Sequence, residues 1–197
     1  MSNARCSTRQ RKTAETDISV SLDLDGTGKA EIDTGVGFFD HMLDGFARHG
    51  LLDLKVTCKG DLQVDEHHTV EDVGIVIGQA IAEAVGDKAG IRRFGSAYVP
   101  MDEALSRAAL DFSGRGLLCM RATFSREMVG DLSTEMAEEF WRAVATNAGI
   151  TLHLDLLEGS NAHHQLESLF KAAALAIRAA TRFDPDVKGV PSTKGVL

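Results

Sequence analysis

Two copies of one short motif, His-His-x-x-Glu, constrain the fold of this chain more than any other feature of its sequence. The copies lie 96 residues apart, and each is followed by a long apolar stretch. Their members are His67, His68 and Glu71 in the first copy and His163, His164 and Glu167 in the second. Seven histidines in 197 residues give far fewer than one adjacent pair by chance, so two pairs with the same downstream glutamate need a structural cause.

The residues after each pair have the spacing of a long helix. Helices are predicted at about 69–85 and 164–182, and both are apolar nearly all round. Shorter helices are predicted at 38–48 and 134–147. Strands are predicted at 18–24, 29–33, 51–57, 61–65 and 150–157, and the block 97–124 is strand-like with a turn at 113–116.

The order of these elements predicts an internal duplication. His49-Gly50 lies 99 residues before Ala148-Gly149, and Lys59-Gly60 lies 99 residues before Glu158-Gly159. A helix without a polar face is normally covered on both sides, so the simplest architecture puts the two long helices together in the middle. We therefore expect an α+β fold in which two outer mixed sheets sandwich the central long helices. The expected single domain spans 1–197, with duplicated βαβ-type halves at about 10–92 and 93–185 and a tail at 186–197.

Charge and composition exclude several classes of partner. The net charge of −8 argues against nucleic acid or an acidic membrane surface, and the one basic stretch, residues 5–12, is too short to reverse this. No apolar run approaches the roughly 20 residues of a membrane span, and the first residues lack the apolar region of a signal peptide. Three cysteines without metal or redox spacing fit a reducing compartment, so a cytoplasmic protein is predicted.

Helix geometry connects the motif with metal binding. Residues i and i+4 share a helix face, as do i and i+3, so Glu71 can approach an ion held by His67 or His68. Two such helices packed together could share two ions, each bound by one histidine of each pair and one glutamate, with His41 and His153 completing the shells. Imidazole and carboxylate ligands without thiolate suit Mn, Fe, Ni or Zn. The alternative is that these are polar residues at helix N-termini on a solvated surface.

Further segments, taken together with the motif, resemble the imidazoleglycerol-phosphate dehydratase family across nearly the whole chain. The matching segments are RKTAET at 11–16, FDHML at 39–43, RHGL at 48–51, DEHHTVED at 65–72, RFG at 93–95, MDEAL at 101–105, NAHHQLE at 161–167, FKA at 170–172 and PSTKG at 191–195. Phe39, Gly116, Ala174 and Ala176 differ from the residues common in the family, which affects only the expected local packing.

The resemblance implies a lyase of histidine biosynthesis that removes water from D-erythro-imidazole-glycerol phosphate to give imidazole-acetol phosphate. It also implies two Mn²⁺ ions per active site, although other divalent metals suit the ligands. The implied metal ligands are His41, His67, His68, Glu71, His153, His163, His164 and Glu167. The implied substrate-binding residues are Glu15, His41, His49, Arg93, Arg115, Lys171, Ser192 and Lys194. The family fold agrees with the expected layering, and its assembly is a homo-oligomer of 24 subunits built from trimers, with active sites between subunits.

The implied reaction explains why two ions are expected. If both nitrogens of the substrate imidazole bind metal, the ring becomes an imidazolate whose electron density can expel the neighbouring hydroxyl. Glu15 is our hypothesis for the general base, since it is a family-matched carboxylate outside the metal shells, and Glu71 or Glu167 is a candidate for the acid. Arg93, Arg115 and Lys194 are candidates for binding the phosphate, with hydroxyl donors from Ser192 and Thr193.

Two other functions fit paired histidines and carboxylates. A dinuclear metallohydrolase would need similar ligands but would release inorganic phosphate or an amine. A metal-storage oligomer would hold many ions per chain in carboxylate-rich helices and would not need Arg93, Arg115 or Lys194. Asp102 and Glu103 are expected either to orient the substrate's hydroxyls or to support a turn, and the alternative for the tail is a disordered end.

Overall fold

Alternating buried and exposed side chains build two four-stranded sheets, each with one face against the core. The computed structural model describes residues 5–195 and 197, so residues 1–4 and 196 of the expected single domain lie outside the described residues. The first sheet contains β1 (Cys6–Lys12), β2 (Thr16–Asp23), β3 (Ala30–Asp33) and β4 (Asp53–Gly60). The later strands are β5 (Phe94–Met101), β6 (Ala104–Asp111), β7 (Leu117–Arg121), the short β8 (Met128–Val129) and β9 (Leu132–Ser133), and β10 (Thr151–Glu158).

Four helices lie between the sheets, at nearly the positions predicted from their apolar spacing. They are α1 (Gly37–Gly50), α2 (His67–Val85), α3 (Met136–Ala148) and α4 (Ala162–Thr181). The two long helices, α2 and α4, begin at the two motif copies as expected. In the described part of the chain, no helix is long and apolar enough to cross a membrane.

The two halves of the chain have the same topology. The strand order is β1-β2-β4-β3 in the first sheet and β5-β6-β10-β7 in the second. In each sheet the first three strands are antiparallel to their neighbours and the last pairing is parallel. The structure therefore confirms the α+β fold, the duplication and the two outer mixed sheets.

The offset between the halves differs by one residue from the predicted value. The buried positions of α1 recur in α3 98 residues later, so that Ala47 corresponds to Ala145 and Gly50 to Ala148. The predicted alignment of His49-Gly50 with Ala148-Gly149 was therefore wrong. A β-bulge between Leu156 and Glu158 adds one residue to β10, and the offset of 99 holds only after it.

Among the helices, each long helix packs mainly on the shorter helix of the other half, α2 on α3 and α4 on α1. The expectation that the two long helices lie directly together is therefore wrong. A Cβ atom at Gly74 of α2 would lie 2.9 Å from Cβ of Ala143, and one at Gly78 would lie 2.8 Å from Cβ of Asn147, so these glycines let α3 approach closely. The opposite side of each long helix is covered by its own sheet, which explains why neither helix has a polar face.

The helices of each packed pair run parallel. His41 contacts Glu167 near the start of α1 and α4, and a Cβ atom at Gly50 would lie 3.8 Å from Cβ of Ala174 further along both helices. The two glycines of α2 likewise meet successive turns of α3 in the same order. The motif at the start of each long helix therefore lies beside the start of the shorter helix on which it packs.

The β8–β9 hairpin joins the beginnings of three helices. Asp131 in its turn accepts hydrogen bonds from the backbone N–H of Gly37 and Phe38 at the start of α1, at 2.6 and 2.9 Å. The backbone N–H of Ser133 donates to Glu66, which precedes α2, at 2.8 Å, and α3 follows the hairpin directly. All four helices consequently begin at one end of the molecule.

Two segments of the first half differ from the predicted elements. Strand β1 was not predicted because its sequence, CSTRQRK, has no apolar alternation; ion pairs of Arg9 with Glu83 and of Arg11 with Asp72 attach it to α2. The strand predicted at 61–65 is wrong. These residues form a turn in which the N–H of Val64 donates to the backbone carbonyl of Asp61, and they pair with no strand of the described chain.

Candidate active site

The first turns of α1 and α4 bring His41, His163 and Glu167 together. The Nε2 atoms of His41 and His163 lie 2.7 and 3.2 Å from the same oxygen, Oε1 of Glu167. One donor atom from each of the three residues lies within 4.8 Å of the others, and no second such group of three is found among residues 5–195 and 197. We call this group the His41–His163–Glu167 cluster.

The carboxylate of the cluster is ionised and neutralised by a lysine. The side chain of Glu167 is 10 % exposed, and its second oxygen, Oε2, forms an ion pair with Nζ of Lys171, one turn later in α4. Burial alone would raise the pKa of Glu167, but hydrogen bonds from Lys171, His41 and His163 outweigh it and lower the pKa to about 2. Glu167 is therefore a charged ligand candidate at neutral pH.

The donor set of the cluster fits a divalent cation. Two imidazole nitrogens converge on one carboxylate oxygen, and the side chains of both histidines remain partly exposed, at 50 and 40 %. The ring of Phe38 packs beside them, with its centroid 5.0 Å from that of His163 and 6.0 Å from that of His41. Nitrogen and oxygen donors without sulfur suit manganese and the other first-row metals expected from the sequence.

The second histidine of the same motif copy, His164, contacts a different carboxylate. Its Nδ1 lies 2.8 Å from Glu103, and its Nε2 lies 3.6 Å from Asp102. The hydrogen bond to His164 and those from the N–H groups of Asn161 and Ser160 lower the pKa of Glu103 to about 2, while Glu103 raises the pKa of His164. Glu103 thus supports the start of α4 as well as the histidine.

The first motif copy shows a similar arrangement. Nδ1 of His68 lies 3.1 Å from both carboxylate oxygens of Asp61, which raises the pKa of His68, and its Nε2 lies 3.7 Å from Oε1 of Glu15. His67 and Glu71 lie half-buried in the first turns of α2. The N–H of His67 donates to Asp65 at 2.9 Å, as the N–H of His163 donates to Asn161 at 2.9 Å.

A cavity of about 190 Å³ opens beside the cluster, between α1 and α4. It is lined by His41, Met42, Asp44, Gly45, Arg48, His49, Glu167, Phe170 and Lys171. Burial and the nearby charge of Lys171 lower the pKa of His49, so its imidazole is neutral at neutral pH. Of the predicted substrate-binding residues, His41, His49 and Lys171 therefore share one cavity with a metal-ligand candidate.

His153 lies apart from the other ligand candidates, on the outer face of the second sheet. It is exposed in the middle of β10, in register with Ala109 of β6 and Cys119 of β7. Asp111 lies on the same face, two residues after Ala109 in β6. Nε and Nη2 of Arg93 donate to its carboxylate at 2.6 and 3.0 Å. His153, a predicted metal ligand, and Arg93, a predicted phosphate-binding residue, therefore lie on the same surface, which faces away from the helices.

The tail lies beside Arg93, which forms a hydrogen bond with it. Nη1 of Arg93 donates to the carbonyl of Pro191 at 2.7 Å, and the N–H of Gly90 donates to Gly189 at 2.8 Å. The predicted phosphate ligands that follow, Ser192, Thr193 and Lys194, form a turn, and Arg115 is exposed on the loop before β7. Arg93, Arg115 and the tail thus lie in one region of the folded molecule.

Within one chain, the residues predicted to bind phosphate lie far from the His41–His163–Glu167 cluster. The N–H of Arg93 donates to the carbonyl of Ala180, near the end of α4, at 3.0 Å. Glu167 lies thirteen residues earlier in the same helix, which corresponds to about 20 Å along the axis. The predicted site residues therefore fall into two groups, one at the helix starts and one on the second sheet and tail.

The structure corrects the expected grouping of the metal ligands within one chain. From the motif spacing we expected the two motif helices to lie together and to share two ions. Instead, His41 of α1 completes the group at α4, and the residue that corresponds to His41 in α3 is Glu139, which pairs with Arg142 at 3.5 Å. Sequence reasoning also missed Phe38 and Asp61, which contribute through side-chain packing and a turn that no periodic pattern reveals.

Known proteins resemble this chain over nearly its whole length. The sequence model of a family described as imidazoleglycerol-phosphate dehydratase matches residues 34–177. The chain belongs to the imidazoleglycerol-phosphate dehydratase family. It is 59 % identical over 193 residues to the imidazoleglycerol-phosphate dehydratase of Salinibacter ruber, covering 98 % of this chain and 96 % of the relative. It is 60 % identical over 187 residues to that of Acetivibrio thermocellus, covering 95 % and 96 %.

Solved structures of the imidazoleglycerol-phosphate dehydratase family share the fold. The crystal structure of the enzyme from Staphylococcus aureus matches with a TM-score of 0.83 at 42 % identity, covering 91 % of this chain and 99 % of that chain. That of the enzyme from Pyrococcus furiosus, in complex with (S)-C348, matches with a TM-score of 0.83 at 35 % identity, covering 96 % and 100 %. The chain is therefore an enzyme of histidine biosynthesis, a hydro-lyase of this family, and not a metal-storage protein or a hydrolase.

Proposed function

We propose that this enzyme removes water from D-erythro-imidazole-glycerol phosphate to give imidazole-acetol phosphate, with two Mn²⁺ ions in each active site. The observation that carries the proposal is the convergence of His41, His163 and Glu167 beside a cavity, in a chain of this family. The substrate is a small phosphorylated imidazole rather than nucleic acid or a membrane. We place the enzyme in the cytoplasm.

The ligands for the two ions come from both motif copies. The His41–His163–Glu167 cluster supplies three ligands for one ion, and the other family-matched ligands are His67, His68, Glu71, His153 and His164. When bound, the ions supply the Lewis acidity that stabilises a dimetal-bound imidazolate of the substrate. Lys171 compensates the charge of Glu167, which keeps that carboxylate ionised and ready to bind a cation.

Proton transfer is assigned to carboxylates beside the histidines. The side chain of Glu15 is about half exposed, and its Oε1 lies 3.7 Å from His68, so the carboxylate is close to the ligand set without belonging to the cluster. This position suits a base that takes the proton from the carbon next to the leaving hydroxyl. Of the two carboxylates considered for the acid, Glu167 is ionised, with a pKa of about 2, so Glu71 is our candidate for delivering a proton to that hydroxyl.

The phosphate is bound by the second group of residues. Arg93 and Arg115 offer guanidinium groups, Lys194 an ammonium group, and Ser192 and Thr193 hydroxyl donors. Arg93 already holds the carbonyl of Pro191, and the tail's turn follows directly. We infer that Arg93 both faces the phosphate and fixes the tail that covers it.

Because the two groups lie about 20 Å apart along α4, the complete active site requires more than one copy of the chain. The outer face of the second sheet, which carries His153, meets the helix starts of another copy in this proposal. We propose a homo-oligomer of 24 subunits, built from trimers, with its active sites between subunits.

The outer faces of the two sheets differ in a way that supports such a contact. The second sheet exposes Phe94 and Tyr98, each 62 % exposed, and Leu117, 52 % exposed, around His153. The counterparts of Phe94 and Tyr98 in the first sheet are Cys6 and Gln10, neither of which is a large apolar residue. Apolar side chains around a ligand candidate are typical of a surface that another copy covers.

The activity is tested with the purified full-length chain, stripped of metal and reloaded with Mn²⁺. We expect imidazole-acetol phosphate to form from imidazole-glycerol phosphate, with the phosphate retained, and the reaction to stop when EDTA removes the metal. Metal analysis should give two ions per active site. Release of inorganic phosphate would indicate a hydrolase instead, and full activity after complete metal removal would reject the metal role.

A further inference from the structure

The duplication places Glu103 and Glu15 at corresponding positions. Strands β1 and β2 correspond to β5 and β6 with an offset of 88 residues, and each glutamate ends the turn between its two strands. Each also lies beside the second histidine of a motif copy, Glu15 beside His68 and Glu103 beside His164. Two corresponding carboxylates therefore accompany the two motif copies.

The two glutamates face different ring nitrogens. Glu15 lies 3.7 Å from Nε2 of His68, whereas Glu103 lies 2.8 Å from Nδ1 of His164. In the first half the Nδ1 side is taken by Asp61, at 3.1 Å from His68. Both second histidines thus have a carboxylate at Nδ1, although it comes from a hairpin in one half and from the loop before the helix in the other.

A carboxylate at Nδ1 determines which ring nitrogen can bind a metal ion. An ionised carboxylate only accepts hydrogen bonds, so it selects the tautomer with the proton on Nδ1. The lone pair then lies on Nε2, and the hydrogen bond also fixes the orientation of the ring. His68 and His164 are consequently held with the same nitrogen, Nε2, available.

Glu103 is itself held firmly by the loop that starts α4. Its Oε1 accepts hydrogen bonds from the N–H groups of Ser160 and Asn161 at 3.0 and 2.7 Å, and the hydroxyl of Ser160 lies at 3.2 Å. Its Oε2 is left to contact His164. One carboxylate therefore connects the position of the helix start with the orientation of the histidine ring.

We propose that Glu103 is a positioning residue that holds His164 with Nε2 free to bind a metal ion, and that Asp61 does the same for His68. The proposal rests on the metal site of the proposed function. Neither carboxylate is a metal ligand in it, and Glu15, the counterpart of Glu103, is left free to act in catalysis.

The test is Glu103→Gln in the assembled full-length chain, with Mn²⁺ affinity measured by titration calorimetry on metal-free protein. The carbonyl oxygen of glutamine still accepts from Ser160 and Asn161, which keeps the helix start. Its NH₂ group then faces Nδ1 of His164 and selects the tautomer with the proton on Nε2. We expect Mn²⁺ affinity to fall about 10–100-fold, with the thermal unfolding temperature of the metal-free protein unchanged.

Asp61→Asn tests the same role in the other half, where no backbone group of residues 5–195 and 197 bonds to the carboxylate. The matched control is Glu31→Gln, which removes one negative charge from the outer face of the first sheet, where Glu31 pairs with Lys55. We expect Asp61→Asn to weaken Mn²⁺ binding by a similar factor and Glu31→Gln to bind like the wild type.

The outcomes separate this inference from the proposed function. If the wild-type chain itself fails to bind Mn²⁺, the proposed metal site is wrong. If the wild type binds and both Glu103→Gln and Asp61→Asn retain its affinity, the positioning role alone is wrong. If Glu103→Gln loses affinity only together with a lowered unfolding temperature while Asp61→Asn binds normally, Glu103 is structural and the proposal is overturned.

Discussion

His68 and His164 each have a carboxylate at Nδ1, whereas the Nε2 atoms of His41 and His163 share the oxygen of Glu167. The motif spacing predicted contact between His163 and Glu167, because residues i and i+4 of a helix share a face. His41 was expected to complete a metal shell, but its contact with Glu167 depends on how α1 packs on α4, which the motif spacing does not show. Asp61 was not predicted at all, since its segment was interpreted as a strand.

Glu15→Gln tests whether Glu15 is the general base. Glutamine keeps the size of the side chain but cannot accept a proton, so we expect turnover to fall about 10²- to 10⁴-fold. Mn²⁺ content should remain normal, because Glu15 lies outside the cluster and 3.7 Å from His68. Steady-state kinetics together with metal analysis check both expectations, and unchanged turnover at normal metal content would reject the role.

Helices were predicted better than strands, and the reason is physical. The 3.6-residue spacing of apolar side chains is a strong local signal, so α1 to α4 were predicted at nearly their observed bounds. Strand β1 is a polar edge strand that pairs with β2 and forms ion pairs with α2, and no local pattern shows either contact. The packing of each long helix on the other half's shorter helix likewise depends on tertiary contacts, such as the close approach at Gly74.

Close packing between a sheet and a helix is tested at Gly95 of β5. A Cβ atom there would lie 2.0 Å from the carbonyl oxygen of Ala176 in α4, and a backbone atom cannot easily move away. We expect Gly95→Ala to destabilise the protein by about 1–3 kcal/mol or more, measured by denaturant unfolding.

Gly45, inside α1, is the matched control because nothing lies within 4 Å of the Cβ position. Gly45→Ala should stabilise the protein by about 0.5–1 kcal/mol, since alanine loses less conformational freedom in a helix. Equal effects of the two substitutions would contradict the packing described for β5 and α4.

The whole molecule presents its predicted site residues in two places, which the linear sequence did not reveal. Periodicity and motif matches identify residue types, but the distance of about 20 Å along α4 follows only from where β5 joins that helix. The exposed apolar side chains of the second sheet can be placed on one face only when the register of its strands is known. Assembly in the proposed function follows from these two observations.

A pair of corresponding positions tests which face another copy covers. Ala109 lies next to His153 on the second sheet, and its counterpart 88 residues earlier is Ser21, on the first sheet. Ala109→Arg places a charge in the proposed contact, so light scattering with Mn²⁺ present should show a smaller assembly and the activity should fall. Ser21→Arg should leave both unchanged, and the opposite pattern would show that the other sheet forms the contact.

The crossed packing of the helices has a consequence for how the molecule loses its structure. Neither half covers its own long helix completely, because α2 needs α3 and α4 needs α1. Detachment of one half would expose apolar side chains of the other over the length of a helix, at a large hydrophobic cost. The two halves are therefore interdependent, and we expect the chain to melt as one cooperative unit despite its repeated plan.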